Sequence, residues 1–500
     1  MDDIPKSRAE EGQNTVDLLA ASLPSQTLLS GTAEYDKARS GFWAAEQARC
    51  TPYCIFQPSS AQDVARALHI LRDTGCPFAI KSGGHGRCAG ESSISAGVLI
   101  DLKKLDGVHL SEDRKTCRVG PGSTWASVYK ELNPQGLTAV GGRASTVGVG
   151  GFCLSGGISF FSNRHGWALD NVKSFEVVLA DGRILHASSS SYPDLYKALR
   201  GGCANFGIVT ELELDVYPYD GMWGGSVNYT WEQGDALVDA FIEYGKVNVH
   251  NSDAAVILGL INYKGEWIWH ADIEHLRAAP ARENPVLKRF LDIPAVEDAT
   301  GPISQIERTD SIVSHYPPGS YNGYWTFCTK ADATIVKFFM QAWRDAVDPI
   351  LHIEGLDRSA LADVNFVSQN IINAMRQHGG NALNLVDKGP FLVFLMEPFW
   401  LKESDSPRVW EALRSTAAKT QEEAKRLNLH HEYIYLNYAN PFQDVYGSYG
   451  DKARFFLSAV GAKYDPDGVF QIQRASGWHL HGPCSSASLS LEISGNPAAP

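Results

Sequence analysis

Two glycine-dense runs constrain this chain more than any other feature: Lys81-Ser82-Gly83-Gly84-His85-Gly86 and Val147-Gly148-Val149-Gly150-Gly151-Phe152-Cys153-Leu154-Ser155-Gly156-Gly157. Glycine has no Cβ, so its backbone N–H groups can come within reach of a phosphate. One such run is no more than a turn. Two of them, about sixty residues apart and with a histidine inside the first, point to a polyphosphate ligand with a reactive imidazole beside it.

The runs lie in a stretch of alternating strand and helix patterns. Tyr53 to Phe56 reads as a short strand, and Ser60-Ala61-Gln62-Asp63 as a capping box opening a helix. Val64, Leu68 and Leu71 share one face of that helix, which Gly75 and Pro77 end. Phe78 to Lys81 is the next strand, and the first glycine run follows at once. Val98 to Leu102 is a further strand, and Thr124 to Leu132 a helix. Phe175 to Leu185 forms a hairpin on Asp181-Gly182. In the strand Gly207 to Val216, Leu212, Leu214 and Val216 alternate with Glu211, Glu213 and Asp215, so one side is wet. After Pro218 the texture changes. Strands such as 254–261 and 266–273 alternate with long helices such as 333–351 and 407–427, and a strand over 433–438 precedes a helix over 452–460.

At 500 residues the chain exceeds a single core. A net charge of −13 argues against nucleic acid and anionic membranes. No apolar run reaches the ~18 residues of a membrane span, and the start, Met1-Asp2-Asp3-Ile4, is acidic where a signal peptide is basic. Nine cysteines (Cys50, Cys54, Cys76, Cys88, Cys117, Cys153, Cys203, Cys328 and Cys484) are odd in number and irregular in spacing. That favours free thiols and a cytoplasmic location. The common dinucleotide fingerprint, the P-loop, the G-x-S-x-G elbow and H-E-x-x-H are all absent in their required contexts. His430-His431 and His479-Leu480-His481 lack companion ligands, so no metal site is expected.

An ordered series of short motifs nevertheless matches a known family: Ser82-Gly83-Gly84-His85, Val119-Gly120-Pro121-Gly122, Gly141-Gly142-Arg143, Val147-Gly148-Val149-Gly150-Gly151, Gly207-Ile208-Val209-Thr210, and Tyr435-Leu436-Asn437-Tyr438 with Tyr464-Asp465-Pro466. The chain resembles the FAD-linked oxidases of the vanillyl-alcohol oxidase superfamily. More narrowly, it is similar to the berberine-bridge-enzyme-like oxidoreductases of fungal secondary metabolism. The match is dense over 45–220 and 430–475 and holds only in outline between them.

The resemblance implies an α+β, two-domain FAD-binding (PCMH-type) fold, with an antiparallel-sheet substrate domain inserted between two parts of the FAD domain. The expected division is an N-terminal extension (1–44), the first part of the FAD domain (45–220), the substrate domain (221–430), the returning FAD segment (431–480) and a flexible tail (481–500). His85 corresponds to the histidine that bonds covalently to the flavin. The place of a second, cysteinyl link is Ala144, with Cys153 off-register, so a single link is expected. Ser82, Gly83, Gly84, Gly86, Thr146, Gly148, Gly150, Gly151 and Gly156 would cradle the pyrophosphate and ribityl chain, and Gly207, Ile208 and Val209 the adenine half. Val147 stands at the family's oxygen-gate position, where a small side chain favours use of O2. Asn437 and Tyr438 would lie beside the flavin ring. Tyr435 and Asn437, two apart in a strand, are the expected catalytic pair, with Tyr435 as base or as orienter of a substrate hydroxyl.

The glutamate base of plant relatives has its approximate counterpart in Gly380 to Leu385, where no carboxylate occurs, while the side taken by Glu397 is open. Secreted relatives pair a cysteine like Cys76 with one near the N-terminus, and the stretch Gln13 to Leu23 offers none. The implied function is oxidation of a small secondary-metabolite intermediate by hydride transfer to covalent FAD, with O2 as acceptor. A carbohydrate or alcohol oxidase and a flavin-bound non-redox cyclase are the alternatives. Trp267, Trp269, Tyr321, Tyr324, Trp325, Phe399 and Trp400 suit an apolar substrate, or a plain core.

Overall fold

The computed structural model describes residues 6–481, apart from 248–249, 279–280 and 315–316. Cys484, the acidic first four residues and the Ser/Pro/Ala-rich tail lie outside the described residues.

The first glycine run leaves a small sheet. Cys54–Phe56 and Phe78–Lys81 both run parallel to Val98–Asp101, which lies between them, and Thr27–Leu29 pairs antiparallel with Cys54–Phe56. The crossover helix Ala61–Thr74 starts where the Asp63 N–H donates to Ser60 Oγ (3.1 Å) and stops at Gly75, whose φ is +69°. Only half of the expected capping box forms. The Asp63 carboxylate turns back to the N–H and hydroxyl of Ser59 (3.0 and 2.8 Å) instead of the Ser60 N–H. Val64, Leu68 and Leu71 are fully buried against Phe56, Phe78 and Ile100. Complete removal of such side chains from water contributes about 1.5–3 kcal/mol each.

A second sheet runs in the order Val108–Leu110, Thr116–Val119, Ile208–Pro218, Val172–Val178, Ile184–Ser188, with Leu137–Ala139 also against Ile208–Pro218. The hairpin turns at Gly182 (φ +81°), and Leu212, Leu214 and Val216 are buried while Glu211, Glu213 and Asp215 are half-exposed. Far downstream, the chain comes back to the first sheet. The Phe78 N–H donates to Gln473 O (2.9 Å) and the Ala475 N–H to Phe78 O (2.8 Å).

The middle of the chain builds an antiparallel sheet whose spine is Met222–Thr230, Glu266–His275, Ala254–Tyr263, Ala362–Val367, Phe391–Met396 and Trp325–Lys330. Helices Gly234–Val247, Ala333–Val347 and Ser406–Arg426 cover one face. Phe241, Phe339, Trp343 and Leu413 interlock there with Leu258, Leu260, Val364 and Phe394. The other face turns toward the glycine runs, where Arg143 donates to Asn365 Oδ1 at 2.7 Å. Trp267, Trp269, Tyr321, Trp325 and Trp400 belong to the helix-side core and not to a ligand surface. Tyr324, from the same set of aromatic residues, lies instead between Arg87 and Glu397.

The expected strand over 433–438 is absent. Pairing with Trp325–Lys330 stops at His430–His431, after which side chains take the backbone donors: Tyr433 N–H donates to His431 Nδ1 (3.2 Å) and Ile434 N–H to Ser448 Oγ (3.0 Å). Leu436–Tyr438 then closes as one turn of 3₁₀-helix.

Candidate active site

The two glycine runs meet main chain to main chain. A Cβ on Gly83 would stand 2.5 Å from Gly148 Cα, and one on Gly148 would stand 2.4 Å from Gly83 N. A Cβ on Gly150 would come 2.9 Å from Ser82 Oγ, whose hydroxyl donates to Pro121 O. Gly84 has a φ of +67°, and Gly151 faces open space. This surface of bare amides is the kind that takes a diphosphate, so the residues fit the dinucleotide that the motifs imply. Other glycines do different work. A Cβ on Gly86 would strike Glu91 Oε2 (2.6 Å), and one on Gly207 would strike Val177 Cγ2 (2.6 Å), where Ile208–Pro218 pairs with Val172–Val178. The side chains of Ile208 and Val209 enter two different cores, so any contact with a ligand is through their backbone.

His85 joins the runs. Its Nε2 lies 3.1 Å from Thr146 Oγ1, and its ring stacks on Trp43 at 4.4 Å. Burial and the neighbouring Arg87 guanidinium hold its pKa well below the usual imidazole value. The imidazole is therefore neutral at physiological pH, with a nitrogen lone pair to offer. Behind it, burial and Glu91 push the Glu46 carboxyl up to about 8. Val147 packs, partly buried, on the core that holds Cys153, whose thiol burial pushes far up. Cys76 is buried and free, with Thr15 of the N-terminal helix hydrogen-bonded to it.

Tyr435 and Asn437 converge on Gly156 through the 3₁₀ turn and not by strand alternation. A Cβ on Gly156 would meet Tyr435 Cε2 at 2.6 Å and Asn437 Oδ1 at 2.8 Å. The Tyr435 hydroxyl oxygen accepts the N–H groups of Gly157 (2.9 Å) and Ile158 (2.8 Å). Burial drives its pKa far up, an effect that those two donors only partly offset. A phenol in that state is a poor base at neutral pH. Asn437 Nδ2 donates to Phe152 O (3.3 Å), while its Oδ1 is buried with no protein partner among the described residues. That orphaned acceptor is what a bound ring N–H would satisfy. Tyr438 does not face away as alternation would require. Its ring meets that of Tyr435 edge-on at 4.8 Å, and its hydroxyl accepts from Arg143 (2.6 Å).

The polar face of the large sheet completes the site with residues no local motif announces. His270 and Asp363, on strands to either side of Ala254–Tyr263, approach over Gly259, with Nε2 3.1 Å from Oδ1. Arg308 lies between Asp272 (2.8 Å) and Glu274 (2.9 Å). Burial raises Asp272, but Arg308 and His270 outweigh it and hold the carboxyl at about 2, whereas burial dominates at Glu274 and lifts it to about 7. Arg87 donates to the Tyr324 hydroxyl, which donates in turn to Glu397 Oε2 (2.9 Å). Carboxylates are thus present on this sheet. The loop 380–385 serves the other region, with Asn381 donating to Asp170 (2.7 Å) and Asn384 to Tyr449 O (2.9 Å). Arg143 had a local signal, since it sits inside the matched Gly141-Gly142-Arg143 motif. Among the described residues there is no cluster of metal-ligating side chains and no helix long and apolar enough to cross a membrane.

Comparison with known proteins agrees with this geometry. The FAD binding domain family matches residues 52–188. The FAD-dependent monooxygenase tpcD of Cochliobolus heterostrophus is 36% identical over 446 residues, 86% of this chain and 85% of that protein. Among solved structures, 6-hydroxy-D-nicotine oxidase from Arthrobacter nicotinovorans superposes with a TM-score of 0.74 at 21% identity, covering 89% of this chain and 96% of that one. The Physcomitrella patens protein BBE-like 1 gives 0.75 at 18% identity, covering 92% and 98%. The chain belongs to the family of fungal FAD-dependent oxidoreductases that includes tpcD, and it has the PCMH-type FAD-binding fold.

Proposed function

We propose that this oxidoreductase carries its FAD covalently on His85 alone and uses O2 while oxidising a small secondary-metabolite intermediate. The observation that carries the proposal is the position of a neutral imidazole at the junction of two glycine runs whose backbones touch. Ser82, Gly83, Gly84, Thr146, Gly148, Gly150 and Gly151 would hold the diphosphate and ribityl chain, with Gly207 to Val209 along the adenine half. Asn437 would bind the ring edge, and Arg143 with Tyr438 would line the space before it. When bound, FAD supplies a two-electron acceptor. Tyr435 is a positioning residue in this scheme, pinning Gly157 and Ile158. Val147 leaves room for O2.

Precipitation in acid tests the link. The yellow colour should stay with the wild-type pellet and leave with the supernatant in His85→Ala. Colour released from the wild type would overturn the covalent assignment. The similarity to the FAD-dependent monooxygenase tpcD favours a second reading of the oxygen step, insertion of one oxygen atom into the substrate. Isotopically labelled O2 separates the two. Label in hydrogen peroxide supports the oxidase, and label in the product supports the monooxygenase.

A further inference from the structure

The proposed function leaves the proton acceptor unnamed, and most polar groups of the site are already committed. The Tyr435 hydroxyl accepts two backbone amides, Tyr438 takes Arg143, Tyr324 is held between Arg87 and Glu397, and Glu274 is tied to Arg308. His270 differs. Its Nε2 lies 3.1 Å from Asp363 Oδ1 in an ion-pair contact where neither atom makes a hydrogen bond among the described residues, and Nδ1 is the ring nitrogen that does not face Asp363. A glycine is required beneath the pair. A Cβ at position 259 would lie 2.0 Å from His270 Nε2 and 2.1 Å from Asp363 Oδ1. Three strands therefore cooperate to seat an imidazole against a carboxylate on the face that turns to the glycine runs.

The surroundings define what the pair can take. The charged groups around His270 are Asp363, Asp272 along its own strand, and Glu397 just past Phe391–Met396. At the sheet edge Glu297 is held by Asn228, the residue across from His270. Arg308 neutralises Asp272. Two cations, Arg143 and Arg87, stand on the facing side, and Arg87 lies over both the Tyr324 ring (4.3 Å) and the Trp43 ring (5.6 Å). Proton transfer is efficient when donor and acceptor pKa values lie close together. Burial works against a protonated His270, yet Asp363 outweighs it and raises the imidazole above its ordinary value. An imidazole of that strength matches an acidic hydroxyl on a planar ring better than an aliphatic alcohol.

Resting on the FAD-dependent reading above, we infer that His270 is the proton acceptor of the site, that Asp363 positions it, and that the substrate presents a phenolic or enolic hydroxyl to it. In the step itself the ligand O–H bond breaks and its electron pair stays on oxygen. The proton goes to His270 Nδ1, and the Asp363 carboxylate faces the resulting imidazolium.

4-Nitrophenol tests this without knowledge of the substrate, because its ionised form has its own visible absorption. Bound to the holoenzyme, the probe should be ionised at a pH where free probe is largely protonated. His270→Gln should bind it protonated and about tenfold more weakly. Asp363→Asn, which lowers the imidazole's basicity, should shift ionisation of the bound probe to higher pH. Gly259→Ala, which wedges a methyl group between the two side chains while keeping both, should shift ionisation in the same direction as Asp363→Asn. Flavin retained by each variant shows that it folds. Equal ionisation of bound probe in wild type and His270→Gln, or no binding to the wild type, would overturn the inference. The acid-precipitation experiment reads the flavin link separately, so a retained link with an unresponsive probe rejects His270 alone, and a released link rejects the covalent reading alone.

Discussion

The cradle of the glycine runs and the polar face of the large sheet are built from opposite materials. The cradle is main chain. Gly83 and Gly148 touch, Gly84 adopts a left-handed φ, and side chains are kept out. The sheet face is side chain: His270, Asp272, Glu274, Asp363 and Arg308 come from three separate stretches of sequence and are seated by strand register. A surface of amides offers one chemistry, hydrogen-bond donation to an anion, and can be the same for every substrate. A surface of side chains can be rewritten one residue at a time, and it suits the part of an enzyme that chooses its substrate.

The difference predicts unequal responses to mutation, and the largest lies on the sheet face. Arg308 is nearly inaccessible and neutralises two carboxyl groups. Arg308→Met removes the cation that pairs with both, and loss of one partner of a buried ion group costs about 3–5 kcal/mol. The loss should shrink toward acid pH, where the stranded carboxyls take up protons. In the wild type Asp272, held at about 2, works the other way. Its contribution is full above its unfolded value near 4 and disappears as pH falls through about 2. Replacing Asp272, Glu274 and Arg308 together by apolar residues should recover most of the stability. Thermal melts of the single and triple variants from pH 5 to pH 8 check this. A triple variant as unstable as Arg308→Met would show that the face is not interchangeable.

The cradle should respond differently, because no compensating change exists for main chain. In Gly148→Ala the new Cβ lies 2.4 Å from Gly83 N, a backbone atom that cannot swing aside. Forced overpacking costs up to about 3 kcal/mol, and here the gap it opens is in the cradle. Flavin content should fall sharply even in molecules that remain folded. Near-normal flavin with a normal melting temperature would mean that the runs do not need their close contact.

The same contrast governs what could be read from sequence. Ser82 to Gly86 and Thr146 to Gly151 are contiguous and their composition states their purpose, so the first sheet, its helix and the cradle were legible. His270 and Asp363 are unremarkable in their own strands. They become a pair only through the register of Ala254–Tyr263 against both neighbours, which no periodicity reveals. The segment 433–438 misled for a related reason. Its alternating aromatic pattern suits a strand, but His431 and Ser448 supply acceptors that a strand neighbour would otherwise provide. Trp43 lies outside every motif, and only the tertiary fold brings it onto His85.

The smallest expected effect is at the residue that joins the two materials. The Tyr435 hydroxyl is a side-chain acceptor serving the backbone of Gly157 and Ile158 at the end of the second glycine run. Tyr435→Phe keeps the ring against Trp167 and Tyr438 but leaves two buried N–H groups unpaired, a loss of about 1–2 kcal/mol after local relaxation. If Tyr435 only positions backbone, the variant should melt earlier and hold its flavin less rigidly, while bound 4-nitrophenol ionises with an unchanged pH profile. If it is instead the base, the stability change should be accompanied by loss of that ionisation. The two roles separate because a strained backbone alters how tightly the probe binds, whereas a missing proton acceptor alters the pH at which the probe gives up its proton.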